Sequence, residues 1–355
     1  MTLSATHFEF RPEWLAKRDE PIIEPSQQII DSHHHLYERP GMRYLLDDYL
    51  KDTSTGHNVR ASIFVQARAM LRADGPPELQ SIGEVEFANG VAAMSASGLY
   101  GPIRVCAGIV GFADLMLGEA VRPVLERLIM AGGGLTTAGG RFCGIRQILT
   151  WDRDTSLLNM AYPTTETMID ASGFRAGFAQ LAKHGLSFEV WAFSPQLPDI
   201  VRLARAFPRT QIVVNHCGGV VRIHGYQNQI DVFEQWKQGI TALSQCENVK
   251  IKLSGLGMRL SDFGFETLPQ PPSSNDLATA WRPWILHCLE SFGPRRCMWG
   301  SNFPVDKGSY AFKVGLNAFK TLMSSASSEE KNAIFWRTAQ NHYGLPAHLV
   351  NAEPG

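Results

Sequence analysis

The 355-residue sequence has no CxxC pair, no excess of either charge and no apolar run near the ~20 residues needed to cross a bilayer. Each absence excludes something. Lys and Arg number 33 against 34 Asp and Glu, for a net charge of -1 and a pI of 6.8. No basic stripe is therefore available for a phosphate backbone, and no nucleic-acid partner is expected. The six cysteines (Cys106, Cys143, Cys217, Cys246, Cys288 and Cys297) follow no regular spacing. They read as reduced structural thiols, with Cys106, Cys143 and Cys217 beside apolar runs where Cys behaves as a small hydrophobe. The opening MTLSATHFEFRPEWLAKRDEP lacks the apolar stretch of a secretory signal, so the expectation is a cytoplasmic protein with no membrane association. At 44% hydrophobic and 19% charged residues, the chain is too apolar for a disordered one.

What is present is a regular alternation. Eight short β-rich runs are expected as strands at 28–33, 59–67, 103–111, 142–149, 186–193, 210–216, 248–255 and 296–302. Several are apolar at consecutive positions, as in parallel strands covered on both faces. Amphipathic stretches between them predict helices at 84–97, 118–131, 173–184, 196–206, 230–245, 277–291 and 308–322, with a last helix over 325–342 opened by Ser-Ser-Glu-Glu. The connection 36–58 is the least regular and shows one short helical stretch around RYLLDDYL. Eight βα units in series predict an α/β fold, a single (β/α)8 TIM barrel over 28–345, with an N-terminal extension over 1–27 and a tail over 346–355. A doubly wound sheet is the alternative, but GGGLTTAGG at 132–140 precedes a strand and so reads as a helix-to-strand loop, not a phosphate cradle. The Pro- and Ser-rich segment 261–277 is expected as a mobile loop at the site.

In such a barrel the site lies at the C-terminal ends of the strands. Those ends carry Asp31-Ser32-His33-His34-His35, Gln66, Arg146-Gln147, Ser194, Asn215-His216, Lys252 with Ser254, and Ser301-Asn302. The two-residue period of a strand sends His33 and His35 together into the mouth and His34 away. Paired imidazoles there make either a divalent-metal chelate or a hydrogen-bond platform for a polarised carbonyl. His216 precedes a tight glycine turn and can approach a ligand. Arg146 and Lys252 lie in apolar strands, so each must meet an internal partner such as Asp31 or a substrate carboxylate. The remaining histidines, His7 included, read as loop or helix residues, with His57 the one to watch.

The motifs IIDSHHHL, GIRQIL, VVNHCGG, IKLSGLGM and MWGSNFPVD, in this order at strand ends, resemble the amidohydrolase superfamily, and within it the amidohydrolase 2 branch that includes lactonases. The likeness runs from about Ile29 to Tyr343. It implies a hydrolase in which water attacks a carbonyl at the barrel mouth. The family's usual donors are an HxH pair, a fifth-strand His, a sixth-strand His and an eighth-strand Asp around one or two divalent ions. Carried over, these are His33 and His35, then His216, with Asn302 at the Asp position and Ser194 where the fifth-strand His would be.

The remaining trio could hold one divalent cation, zinc by its donors, and metal-free hydrolysis stays open beside it. The expected catalytic set is His216, Asn302, Asp306 and Arg146, with Asn302 placing the water and His216 or Asp306 handling the proton. Lys252, Gln66, Ser194 and Trp151 are expected to bind substrate, and Tyr37, Arg39, Arg72 and Arg259 are further loop candidates. The expected ligand is a small molecule, a carboxylated or sugar-like lactone, and the expected assembly is a homodimer. Two other readings compete: metal-dependent decarboxylation of an aromatic acid, and an inactive barrel serving as a binding module.

Overall fold

The computed structural model describes residues 7–226 and 228–351. After a short helix at Pro12–Leu15 come β1 (Gln28–His34), a hairpin of β2 (Tyr37–Arg39) and β3 (Met42–Tyr44), and β4 (Asn58–Val65). Then come β5 (Arg104–Gly111), β6 (Phe142–Ile148), β7 (Ser187–Trp191), β8 (Ile212–Val214), β9 (Val249–Leu253) and β10 (Cys297–Trp299). All but the hairpin pair in parallel, each with the next in sequence. Closure is made just past the ends of β10 and β1, where Asn302 N donates to His33 O at 2.8 Å and His35 N to Phe303 O at 2.8 Å. After each barrel strand the chain forms a helix: Leu46–Thr53, Ile82–Ala96, Arg122–Ala131, Ser172–Lys183, Leu197–Ala206, Gln229–Ser244, Ser274–Phe292 and Phe312–Leu322. This is the (β/α)8 barrel that the alternation predicts.

The apolar runs are consecutive because both faces of each strand are buried. Ile30, Ile63, Val65, Val110, Val213 and Met298 fill the barrel interior. Their neighbours Ile29, Phe64, Ile109, Phe188, Ile212 and Ile251 pack outward against the helices. Ala339, Tyr343 and Leu345 join the inner cluster and plug its lower end. The helix expected from Ser-Ser-Glu-Glu starts as read, with a reciprocal capping box between Ser327 and Glu330. Among the described residues no helix is long and apolar enough to cross a membrane, and all six cysteines are free and buried.

Three expectations need amending. The connection after β1 contains the β2–β3 hairpin besides the helix, turning at Pro40-Gly41 where Gly41 has φ 77°. The segment 261–277 is tied down: Arg11, Trp14 and Arg18 of the N-terminal extension donate to the carbonyls of Glu266, Leu268 and Pro271. His57 stands at the start of β4, away from the mouth, bonded to Lys320 Nζ at 2.9 Å and the Lys313 carbonyl at 3.1 Å.

Candidate active site

The strand ends bring His33, His35 and His216 together, with ring centroids 4.9 Å apart for His33–His35 and 4.5 Å for His33–His216. His34 turns outward as expected, stacking on Tyr49 at 4.2 Å and meeting Ser62 Oγ at 2.9 Å. His216 and Asn302 both hold left-handed backbone, φ 54° and 55°. That conformation is uncommon for a residue with a side chain and is tolerated where the surroundings impose it. Gly255 is part of that imposition, since a Cβ there would lie 2.5 Å from His216 Cβ.

The hydrogen bonds sort the imidazole nitrogens. His35 Nδ1 faces the Val65 carbonyl at 2.7 Å, so it carries the proton and Nε2 keeps its lone pair. His216 Nδ1 meets Ser254 Oγ at 2.9 Å; when it donates there, Nε2 is free to accept. His33 Nδ1 faces the Lys252 ammonium at 3.2 Å, a group that can only donate. Its Nε2 stands 3.3 Å from Arg146 Nη1, which also only donates, and 3.3 Å from His35 Nε2, the acceptor within reach of a neutral His33 proton. Burial, reinforced by Lys252 at His33 and by Arg146 at His35 and His216, holds all three well below the usual histidine range. They are neutral at pH 7.

Below them lies a buried charge cluster. Lys252 Nζ sits 2.7 and 2.8 Å from the two Glu189 oxygens, and neither side chain is exposed. Glu189 also accepts from Tyr343 Oη at 2.6 Å and Asn215 Nδ2 at 2.9 Å. Lys252 is thus committed to an internal partner. That partner is Glu189, while Asp31 accepts from Ser301 and Tyr49 instead.

Asn302 Nδ2 donates to Asp306 Oδ1 at 2.7 Å, leaving Asn302 Oδ1 buried with no protein partner. Asp306 Oδ2 accepts from Tyr310 Oη at 2.8 Å and Gly257 N at 3.1 Å. Burial pushes the Asp306 carboxyl up to about 7.

A cleft at the mouth is lined by His35, Arg146, His216 and Asn302, and by Tyr37, Arg39, Tyr162, Trp191, Met258 and His7, among others. Of the expected catalytic residues, His216, Asn302 and Arg146 reach it, while Asp306 lies behind Asn302 and orients it. Of the expected substrate contacts Lys252, Gln66, Ser194 and Trp151, none lines it, whereas the loop candidates Tyr37 and Arg39 do. Lys252 is beneath the floor, and Gln66 contributes its carbonyl to Arg146 while its side-chain amide is buried without a hydrogen-bond partner. Ser194 begins a turn beyond β7, and Trp151 is held through its backbone N by Gln196. Arg72 is paired with Glu86 on the surface and Arg259 is exposed.

Three residues escaped the sequence reading. Glu189 had a signal, a carboxylate at the centre of the apolar run LSFEVWAF. His7 and Tyr162 sit in irregular segments whose path no periodicity predicts.

The family's metal can be tested against these donors. Among the described residues, no three His, Cys, Asp or Glu side chains are grouped to hold an ion. A His that ligates through Nε2 needs an acceptor for its Nδ1 proton. His33 has the Lys252 ammonium there, and the Arg146 guanidinium stands where it would repel a dication. The trio His33, His35 and His216 comes together, but this arrangement does not fit the ion.

A profile of the amidohydrolase family matches residues 30–345, and the chain belongs to that family. It is 29% identical over 338 residues to the uncharacterized protein y4mH of Sinorhizobium fredii, covering 89% of this chain and 98% of that one. It is 25% identical over 339 residues to an L-fucono-1,5-lactonase of Burkholderia multivorans, covering 89% and 96%. A zinc-bound amidohydrolase structure from Burkholderia multivorans superposes with a TM-score of 0.67 at 23% identity, over 90% of this chain and all of that one.

Proposed function

We propose that this protein is a hydrolase that opens a small lactone by water attack, with a guanidinium in the electrophilic role. The observation that carries the reading is the convergence on one cleft of Arg146, the accepting Nε2 of His216 and the unpartnered Asn302 Oδ1. The lactonase relative supports the substrate class.

The lactone carbonyl lies against Arg146, whose charge stabilises the oxyanion as it forms. Asn302 Oδ1 accepts a hydrogen from the attacking water, and His216 Nε2 takes the proton as the C–O bond forms. Ser254 holds the opposite proton on Nδ1. When the tetrahedral intermediate collapses, the ring C–O bond breaks and His216 returns its proton to the leaving alkoxide. Asp306 acts at one remove: it fixes the Asn302 amide so that nitrogen faces inward and oxygen faces the cleft.

The test is a panel of five- and six-membered lactones followed by acid release, before and after chelation, with metal content measured on the same preparation. Hydrolysis that survives chelation and falls at least ~100-fold in Arg146→Gln is the expected result, the size set by loss of one oxyanion donor. Release of CO2 from hydroxybenzoates, with no lactone opened, would replace this reading with the decarboxylase.

A further inference from the structure

The cleft has about 50 Å³ of free volume, enough for a carbonyl end and a water. Directly beside it, over the ends of β4, β5 and β6, is a second cavity of about 540 Å³. The two share walls, because Tyr162 and Ile148 line both. A ligand whose reacting group occupies the first has the second as adjoining space for the rest of its body.

The wall of the second cavity is mixed, with more apolar than polar surface. Phe112, Met116, Leu117, Pro163 and Met168 line it, and Met116 and Leu117 remain 40% and 36% exposed. Several polar side chains on its wall are already spent. Gln147 accepts from Leu115 N at 3.2 Å and faces Met168 Sδ, Thr164 donates to the Thr150 carbonyl at 2.6 Å, and Asp114 caps Met116 N at 3.0 Å. Arg68 and Glu78 are exposed, and the Arg68 guanidinium stands 5.5 Å over the Tyr162 ring. Gln80 and Thr165 complete the polar wall, and hydroxyls laid against the apolar residues would go unmatched, which is costly. Unbranched, polarizable methionines suit a hydrocarbon of variable shape.

We propose that this second cavity is a subsite for an apolar substituent, an alkyl or aryl arm carried by the acyl compound whose carbonyl sits against Arg146. The inference deepens the hydrolase reading and rests on it for the word lactone. The subsite itself is a claim about binding and can stand or fall alone.

The experiment has two arms on the full-length protein. In the first, kcat/KM is measured for δ-lactones with side arms lengthened one methylene at a time, for wild type and for Leu117→Glu. The expected wild-type profile rises by up to about fourfold per methylene and then levels as the cavity fills. Leu117→Glu is expected to flatten the rise while the unsubstituted lactone reacts as in wild type. In the second arm, calorimetry measures the affinity of the matching ring-opened 5-hydroxyalkanoates, which needs no turnover. Affinity that tightens with arm length in wild type and not in Leu117→Glu supports the subsite even if no lactone is opened; in that case only the hydrolase reading fails. Affinity and rate both independent of arm length in wild type would overturn the proposal. An equal loss for short and long compounds in Leu117→Glu would overturn it as well.

Discussion

Replacing Glu189 by Gln perturbs the floor of the site at its most exposed energetic point. The Lys252 ammonium has no solvent contact and takes both Glu189 oxygens at 2.7 and 2.8 Å. Gln in that place accepts with one atom and donates with the other, so it turns an NH2 group toward an ammonium. Removing one member of a buried pair costs about 3–5 kcal/mol, because the survivor remains charged without compensation. Unfolding entropy of roughly 2.1 cal/mol/K per residue gives about 0.75 kcal/mol/K for a chain of 355 residues. A loss of about 4 kcal/mol therefore lowers Tm by about 5 °C. Differential scanning calorimetry reads the shift, and urea titration supplies an independent value. The double variant Glu189→Gln/Lys252→Met should recover part of the loss, because no orphan charge is left. A single-variant Tm within about 1 °C of wild type, or a double variant worse than the sum of its parts, would refute the argument.

Three further outcomes are expected. Asn302→Ala should cut kcat by about 10²–10³ while circular dichroism stays as in wild type and Tm falls by about 1–4 °C, the cost of leaving one buried Asp306 oxygen without its donor. Asp306, raised from its ordinary 3.8 to about 7 by burial, binds its proton more tightly when folded than unfolded. It therefore favours the folded state at low pH, and this contribution fades as pH rises from about 4 through 7, by up to about 4 kcal/mol. Urea midpoints at pH 5 and pH 8 should differ more, in that sense, for wild type than for Asp306→Asn, and equal differences would contradict the assignment. Gly255→Ala, at φ 74° and with its new Cβ 2.5 Å from His216 Cβ, should lose about 1–3 kcal/mol of stability and lower turnover together. Unchanged kcat in that variant would show that His216 is not held by this contact.

The barrel was legible because burial on two faces writes a plain pattern: QIIDSH, SIFVQA and TQIVVNH are strands in any register. The hairpin at 37–44 was not, since YERPGMRY offers three-residue strands and only its Pro-Gly turn as a signal. Site residues on strands, His33 and Arg146, and His216 two residues past the end of β8, followed from the same pattern. Their partners did not. That Lys252 belongs to Glu189 depends on how β7 and β9 face each other across the ring, which neither strand's own letters encode. Asp306 looked like a candidate base by proximity to Asn302. The turn after β10 sends it behind that residue, and no local pattern reveals the turn's path. His7 reaches the cleft through an extension whose docking on 266–271 is decided by single hydrogen bonds from Arg11, Trp14 and Arg18.

The Tyr343 hydroxyl completes the coordination of Glu189 from 154 positions downstream. Ala339, Tyr343 and Leu345 close the inner cluster from below, and the same Glu189 oxygen that Tyr343 holds also receives the Lys252 ammonium, which in turn faces His33. A chain of direct contacts therefore runs from the helix that ends at Tyr343 through the buried charges to the imidazoles at the mouth. A change at Tyr343 is felt at the opposite end of the barrel, through groups that no solvent screens.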